Sequence, residues 1–153
     1  MNDMFRYYMR VRYYECDAQK VVYNATYGNY VSVATTEFLR ALEGRDLLHG
    51  DLDYKVVKQE MKWHAPARYD EVLEVSVAVK QLGRSSVTIT TDFRIAGSPD
   101  VIASADTVRV LVDAQTMEKK GIPQDVREML KAGAPGVVVD HAGYIDLDNI
   151  VFS

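Results

Sequence analysis

The sequence predicts an α+β domain in which a curved antiparallel sheet wraps around one long central helix. Three observations lead there. A segment of period two opens the chain, a helical period of three to four residues follows it, and further strand-like runs separated by turn residues come after. Consecutive strands joined by tight turns imply antiparallel pairing. One long helix has to bury its apolar face on that sheet. At 153 residues and 48% hydrophobic composition, a single domain over 1–153 with one core is expected.

Residues 4–14 alternate, with Phe5, Tyr7, Met9, Val11 and Tyr13 on one side and Arg6, Tyr8, Arg10, Arg12 and Tyr14 on the other. That reads as a strand. A polar break, Glu15-Cys16-Asp17-Ala18-Gln19-Lys20, leads to Val21-Val22-Tyr23. Then Tyr27, Val31, Ala34, Phe38 and Ala41 recur at helical spacing, with Asn29, Ser32, Thr36, Arg40 and Glu43 on the other side. Asn24 stands where an N-cap is expected and Gly44 where the helix should stop. Strands follow over 54–65, ending at Pro66; over 72–80, through Leu73, Val75, Val77 and Val79; and, past Gly83, through Val87, Ile89, Thr91, Phe93 and Ile95. The turn Gly97-Ser98-Pro99-Asp100 precedes a last long strand over 101–112. Pro123 opens a short helix that Gly133 ends. The tail, 134–153, shows no usable period and stays unplaced. There is no internal repeat, low-complexity segment or linker.

Composition narrows the function. A net charge of −4 argues against a nucleic-acid partner, yet a polyanionic ligand needs only a local basic patch. The single cysteine, Cys16, allows no intramolecular disulfide and fits a reducing compartment. The opening MNDMFRYYMR lacks the apolar run of a signal peptide, and no stretch approaches the roughly 20 apolar residues of a membrane helix. A soluble, cytoplasmic protein without a membrane partner is expected. Ten tyrosines against four phenylalanines suit either a partly polar pocket or interface, or plain strand formation. His49, His64 and His141 show no metal-ligand spacing, and there is neither a Gly-rich nucleotide loop nor a G-x-S-x-G elbow. No metal and no cofactor are expected. Cys16 has no neighbouring histidine to activate it and reads as a small buried thiol.

One run, Tyr14-Glu15-Cys16-Asp17-Ala18-Gln19-Lys20-Val21-Val22-Tyr23-Asn24-Ala25-Thr26-Tyr27, resembles the acidic-loop motif of the 4-hydroxybenzoyl-CoA thioesterase family. Three further segments fit in the same order: Ala65-Pro66-Ala67-Arg68-Tyr69-Asp70-Glu71, Gly83-Arg84-Ser85-Ser86 and Gly121-Ile122-Pro123. Gln19 and Lys20 stand where that family often has glycine, and Asn24 where many members have histidine. The resemblance implies the hotdog fold and hydrolysis of an acyl thioester, carried by acyl-CoA or by an acyl-carrier protein. It implies Asp17 as the catalytic carboxylate, acting as nucleophile or as general base for water. It places an oxyanion donor at the main-chain N–H of Asn24, where a helix start offers oriented donors. Tyr23 and Tyr27 are candidates for the acyl pocket, though Tyr27 is as readily a core residue. Arg84, Ser85 and Ser86 are candidates for the CoA phosphates. Glu37, on the helix, is the fallback carboxylate. The family also implies a homodimer or homotetramer with a shared site, the helix and Asp17 from one subunit and the strand near Lys62 and Trp63 from the other. The rivals are a carrier-protein thioesterase and a non-catalytic acyl-binding protein of the same fold; a dehydratase lacks its acid–base pair here.

Overall fold

The structure, a computed structural model, describes residues 4–43 and 52–145. Its elements run β1 (Phe5–Arg10), α1 (Tyr27–Glu43), β2 (Leu52–Trp63), β3 (Val72–Leu82), β4 (Ser86–Ile95), β5 (Val101–Asp113), α2 (Gln124–Ala132) and β6 (Val138–Asp140), with 3-10 turns at Tyr13–Glu15 and Asn24–Thr26. Six strands form one sheet in the order β2-β5-β4-β3-β1-β6. Every pair is antiparallel except β1 with β6.

Period two decides which face of the sheet meets the helix. Phe5, Tyr7 and Met9 of β1, Leu73, Val75 and Val77 of β3, Val87, Ile89, Thr91 and Phe93 of β4, and Ala103 and Ala105 of β5 are all buried. Against them α1 buries Tyr27, Tyr30, Val31, Ala34, Thr35, Phe38 and Leu39. Each large apolar side chain covered in this way contributes about 1.5–3 kcal/mol at most, which is why one amphipathic helix suffices to hold the curved sheet. Phe5 meets Phe38 edge to face at 5.5 Å, and Tyr27 meets Phe93 likewise at 5.3 Å.

Several expectations are corrected. β2 and β3 do not form a hairpin: β2 lies beyond β5 at the sheet edge, and 64–71 carries the chain across the strand ends. β1 stops at Arg10, and Tyr13 joins an exposed 3-10 turn rather than the inner face. The cause is Glu15, whose carboxylate takes the N–H of Arg12 at 2.7 Å and so bends the chain there. Asn24 does not cap α1; it opens the 3-10 turn that leads into the helix, behind Tyr23. Ala41 is exposed, while Tyr30 and Leu39 complete the buried stripe. The helix end at Gly44 and His49 lie outside the described residues.

Part of the unplaced tail becomes structure. Val138–Asp140 pairs with β1 along Arg6–Tyr8. Tyr144 stacks on Tyr8 at 5.0 Å, and His141 Nδ1 lies 3.0 Å from the Tyr7 hydroxyl. This covers one sheet edge and explains why Tyr8, on the face away from the helix, is buried. Its hydroxyl donates to Glu74, and burial together with that carboxylate pushes its pKa up to about 12. The other edge, β2, is 12 residues long with Val56, Val57 and Trp63 exposed.

Candidate active site

The acidic loop is a small ladder of its own. Cys16 bridges Val22, Asp17 N–H donates to the carbonyl of Val21, and Lys20 N–H donates to that of Asp17. Lys20 holds φ 64, the left-handed region that favours glycine. The loop therefore keeps, with a lysine, a turn that glycine makes at lower cost. The Asp17 side chain is exposed, and one of its oxygens accepts the Gln19 N–H at 2.8 Å.

The second matching segment, 65–71, turns out to be the buttress of the first. Val22 N–H donates to Ala67, Tyr69 N–H donates to Lys20, and Val21 bridges Arg68. Val11 and Asp70 close the other side through Val11 N–H to Glu71 and Asp70 N–H to Val11. Ala67 is fully buried under the loop. Beneath the ladder, Tyr23 N–H donates to the carbonyl of Glu15, and the chain enters the 3-10 turn. Asn24 is the first residue of that turn, so its N–H has no acceptor within it and points out of the helix start.

Aromatic side chains gather around this end. Tyr13, Tyr14, Tyr23, Trp63 and Tyr69 are all about half exposed or more, and Tyr13 meets Tyr69 edge to face at 5.5 Å. Trp63 reaches Tyr27 of its own chain at 6.4 Å. Tyr27 itself is buried against Tyr30 and Phe93, and burial raises its pKa to about 12, so it stays a neutral core phenol. Lys62 does not join them. It lies opposite Ser104, on the sheet face away from the helix, near Asp106 and Lys80. Cys16 is half-buried with its thiol 3.6 Å from the Arg12 carbonyl, and burial raises its pKa. Glu37 pairs with Arg40 at 3.4 Å, further along the helix.

The third and fourth matching segments meet each other at the opposite end. Ile122 N–H donates to the Arg84 carbonyl, and Leu111 N–H donates to that of Ser85. Arg127 of α2 clamps the turn, its guanidinium donating to the carbonyls of Gly83 at 2.9 Å and Arg84 at 3.2 Å. A Cβ on Gly83 would lie 2.5 Å from the Ser86 hydroxyl, so a larger residue there would make that side chain rotate away. The Arg84 side chain is exposed. The 11 residues of β3 separate this turn from the acidic loop, on the order of 30 Å at the rise of a strand. One chain thus holds Asp17, Asn24, Tyr23, Tyr27 and Trp63 at one end and Arg84, Ser85 and Ser86 at the other.

The thioesterase-like superfamily model matches residues 11–130. The chain belongs to that superfamily. Among curated relatives, the acyl-CoA thioester hydrolase YbgC of Escherichia coli is 29% identical over 126 residues, covering 80% of this chain and 92% of the relative. The 1,4-dihydroxy-2-naphthoyl-CoA hydrolase of Synechococcus elongatus is 24% identical, covering 81% and 93%. A crystal structure of a Pseudomonas aeruginosa protein superposes with a TM-score of 0.77 at 25% identity, covering 86% of this chain and 92% of that one. A Staphylococcus aureus protein in complex with CoA shares the fold at a TM-score of 0.75 and 10% identity, covering 86% and 84%. This thioesterase therefore has the hotdog architecture, with α1 as the central helix.

Sequence reasoning passed over Arg12, Glu15, Tyr30 and Arg127, which hold the two ends in shape. The spacing Arg12-x-x-Glu15 was the available signal, since a carboxylate three residues on reaches back to a chain turn.

Proposed function

We propose that this thioesterase hydrolyses an acyl-CoA to the free acid and CoA, with Asp17 as the catalytic carboxylate. The observation that carries the reading is the pairing of an exposed Asp17 with an outward-facing helix start, both fastened to the same short ladder. As the thioester carbonyl is attacked, negative charge grows on its oxygen. The main-chain N–H of Asn24 is the donor for that oxygen, with the positive end of the helix behind it. Asp17 either attacks the carbonyl carbon directly or takes a proton from the attacking water. The acyl group rests among Tyr23, Trp63 and the neighbouring aromatics.

The CoA phosphates are assigned to the Arg84–Ser86 turn of a second copy. Among the described residues β2 presents a long unpaired edge, which invites pairing with another strand. Two copies joined antiparallel along β2 set the Trp63 end of one against the Leu52 end of the other. Because the Arg84 turn sits at the Leu52 end, each acidic loop then faces its partner's Arg84. A protein that acts as a monomer at micromolar concentration by light scattering would remove this arrangement. Lys62, on the outer face, is left out of it.

The testing experiment is a hydrolysis screen across acyl-CoA chain lengths, aromatic acyl-CoAs and acyl-carrier proteins, for wild type and Asp17→Asn. Turnover of acyl-CoA that collapses in the variant supports the reading. Turnover of carrier-protein thioesters alone would move the substrate to that class. Tight acyl-CoA binding with no hydrolysis by the wild type would replace the enzyme with an acyl-binding protein.

A further inference from the structure

We infer that Glu15 is a positioning residue for the reaction, holding the Asp17 loop and the Asn24 helix start in one geometry. The inference rests on the acyl-thioester reading above. Glu15 is 7% exposed, an unusual place for a carboxylate, and burying one is costly unless donors surround it.

Here they do. Oε1 accepts the Arg12 N–H at 2.7 Å and the Tyr30 hydroxyl at 2.8 Å, and Oε2 accepts the Arg12 guanidinium at 3.1 Å. Its own main chain continues the work: the Glu15 carbonyl accepts the Tyr23 N–H at 3.0 Å and lies 3.5 Å from the Thr26 hydroxyl. One residue thus fastens the end of the β1 segment, the helix α1 through Tyr30, and the residue before Asn24. Asp17 is two positions along. Its side chain makes the first two ties and its main-chain carbonyl the third.

The charge matters as well as the shape. Arg12 and Tyr30 both present donors, so an amide at this position would turn one N–H2 against a donor. The guanidinium also balances the carboxylate two residues from Asp17, leaving the loop with one uncompensated acid rather than two. A reacting carboxylate displaced by about 1 Å can lose on the order of a hundredfold in rate, so small shifts of this hub reach the chemistry.

The experiment is steady-state kinetics of the full chain on the acyl-CoA that the wild type turns over best. Glu15→Gln should lower kcat at least about tenfold while KM stays within about threefold, because the substrate contacts themselves are intact. Adding Glu15→Gln to Asp17→Asn should cost almost nothing more, since a positioning residue has little left to position. A structural role would instead lower both backgrounds by the same factor. Tyr30→Phe removes one donor and leaves the Arg12 pair, so it serves if Glu15→Gln does not fold; a loss of about threefold in kcat, absent in the Asp17→Asn background, is expected. Wild-type kcat in whichever variant folds, or equal losses in both backgrounds, overturns the inference. A wild type inactive on every thioester defeats the parent reading and this one with it; an active wild type matched by its Glu15 and Tyr30 variants defeats this one alone.

Discussion

The two ends of the sheet are built by different means. At the Asp17 end, residues 11–24 and 65–71 are tied by main-chain hydrogen bonds and short bridges, with a buried carboxylate underneath. At the Arg84 end, a hairpin turn is clamped from outside by a side chain of α2. The first end is held firmly, as the chemistry proposed for Asp17 requires. The second presents an exposed cation on a firm turn, suited to hold a phosphate without taking part in bond breaking. A strand's length lies between them, so the proposed site draws its two ends from different chains.

The comparison can be broken most forcefully at Asp17. Asp17→Asn keeps the size of the side chain and removes its charge. Turnover should fall at least about a hundredfold with acyl-CoA still binding, since loss of a general base typically costs 10²–10⁴ and loss of a nucleophile more. The Asp17 side chain is outside the core, so circular dichroism should stay native. Near-normal turnover would leave Asp17 a loop residue and bring Glu37 forward.

Mixing subunits sharpens the same contrast. If each site takes Asp17 from one chain and Arg84 from the other, an Asp17→Asn chain paired with an Arg84→Ala chain contains one intact site. Co-refolded mixtures should then regain about a quarter of wild-type activity at low acyl-CoA, beyond the sum of the separate variants. No recovery in demonstrably mixed dimers would assign both residues to a single chain's site or dismiss Arg84 altogether.

Arg84→Ala alone should act on binding. KM for acyl-CoA should rise about three- to tenfold, with kcat little changed, the signature of lost uniform binding. A pantetheine thioester, lacking the nucleotide, should be hydrolysed as well by the variant as by the wild type. Equal losses on both substrates would make the turn structural.

The smallest effect is expected at Lys20. Glycine relieves a left-handed conformation that costs a side-chain-bearing residue about 1 kcal/mol, partly offset by the greater freedom of glycine in the unfolded chain. Lys20→Gly should therefore shift the melting temperature upward by no more than a few degrees and leave kcat unchanged, measured by calorimetry and steady-state assay. A large drop in kcat would mean that the lysine itself touches the reaction.

Legibility in the sequence followed the range of the forces involved. Local periodicity determined β1, α1, β3, β4 and β5 to within a few residues, because which face is apolar is a property of consecutive side chains, and Pro123 and Gly133 bracketed α2. The motif around Asp17 was legible through its resemblance to a known family, and the ladder it builds is local, closing over seven residues, Cys16 to Val22. The tertiary structure alone decided that β2 stands beyond β5, that 65–71 supports the acidic loop, that the tail adds β6, and that Lys62 and Trp63 face opposite ways. Those outcomes depend on pairings between residues tens of positions apart. Glu15 shows the limit most clearly: as a letter it is one more acid in a polar loop, and only Tyr30, fifteen residues away and brought back by the helix, makes it a buried hub.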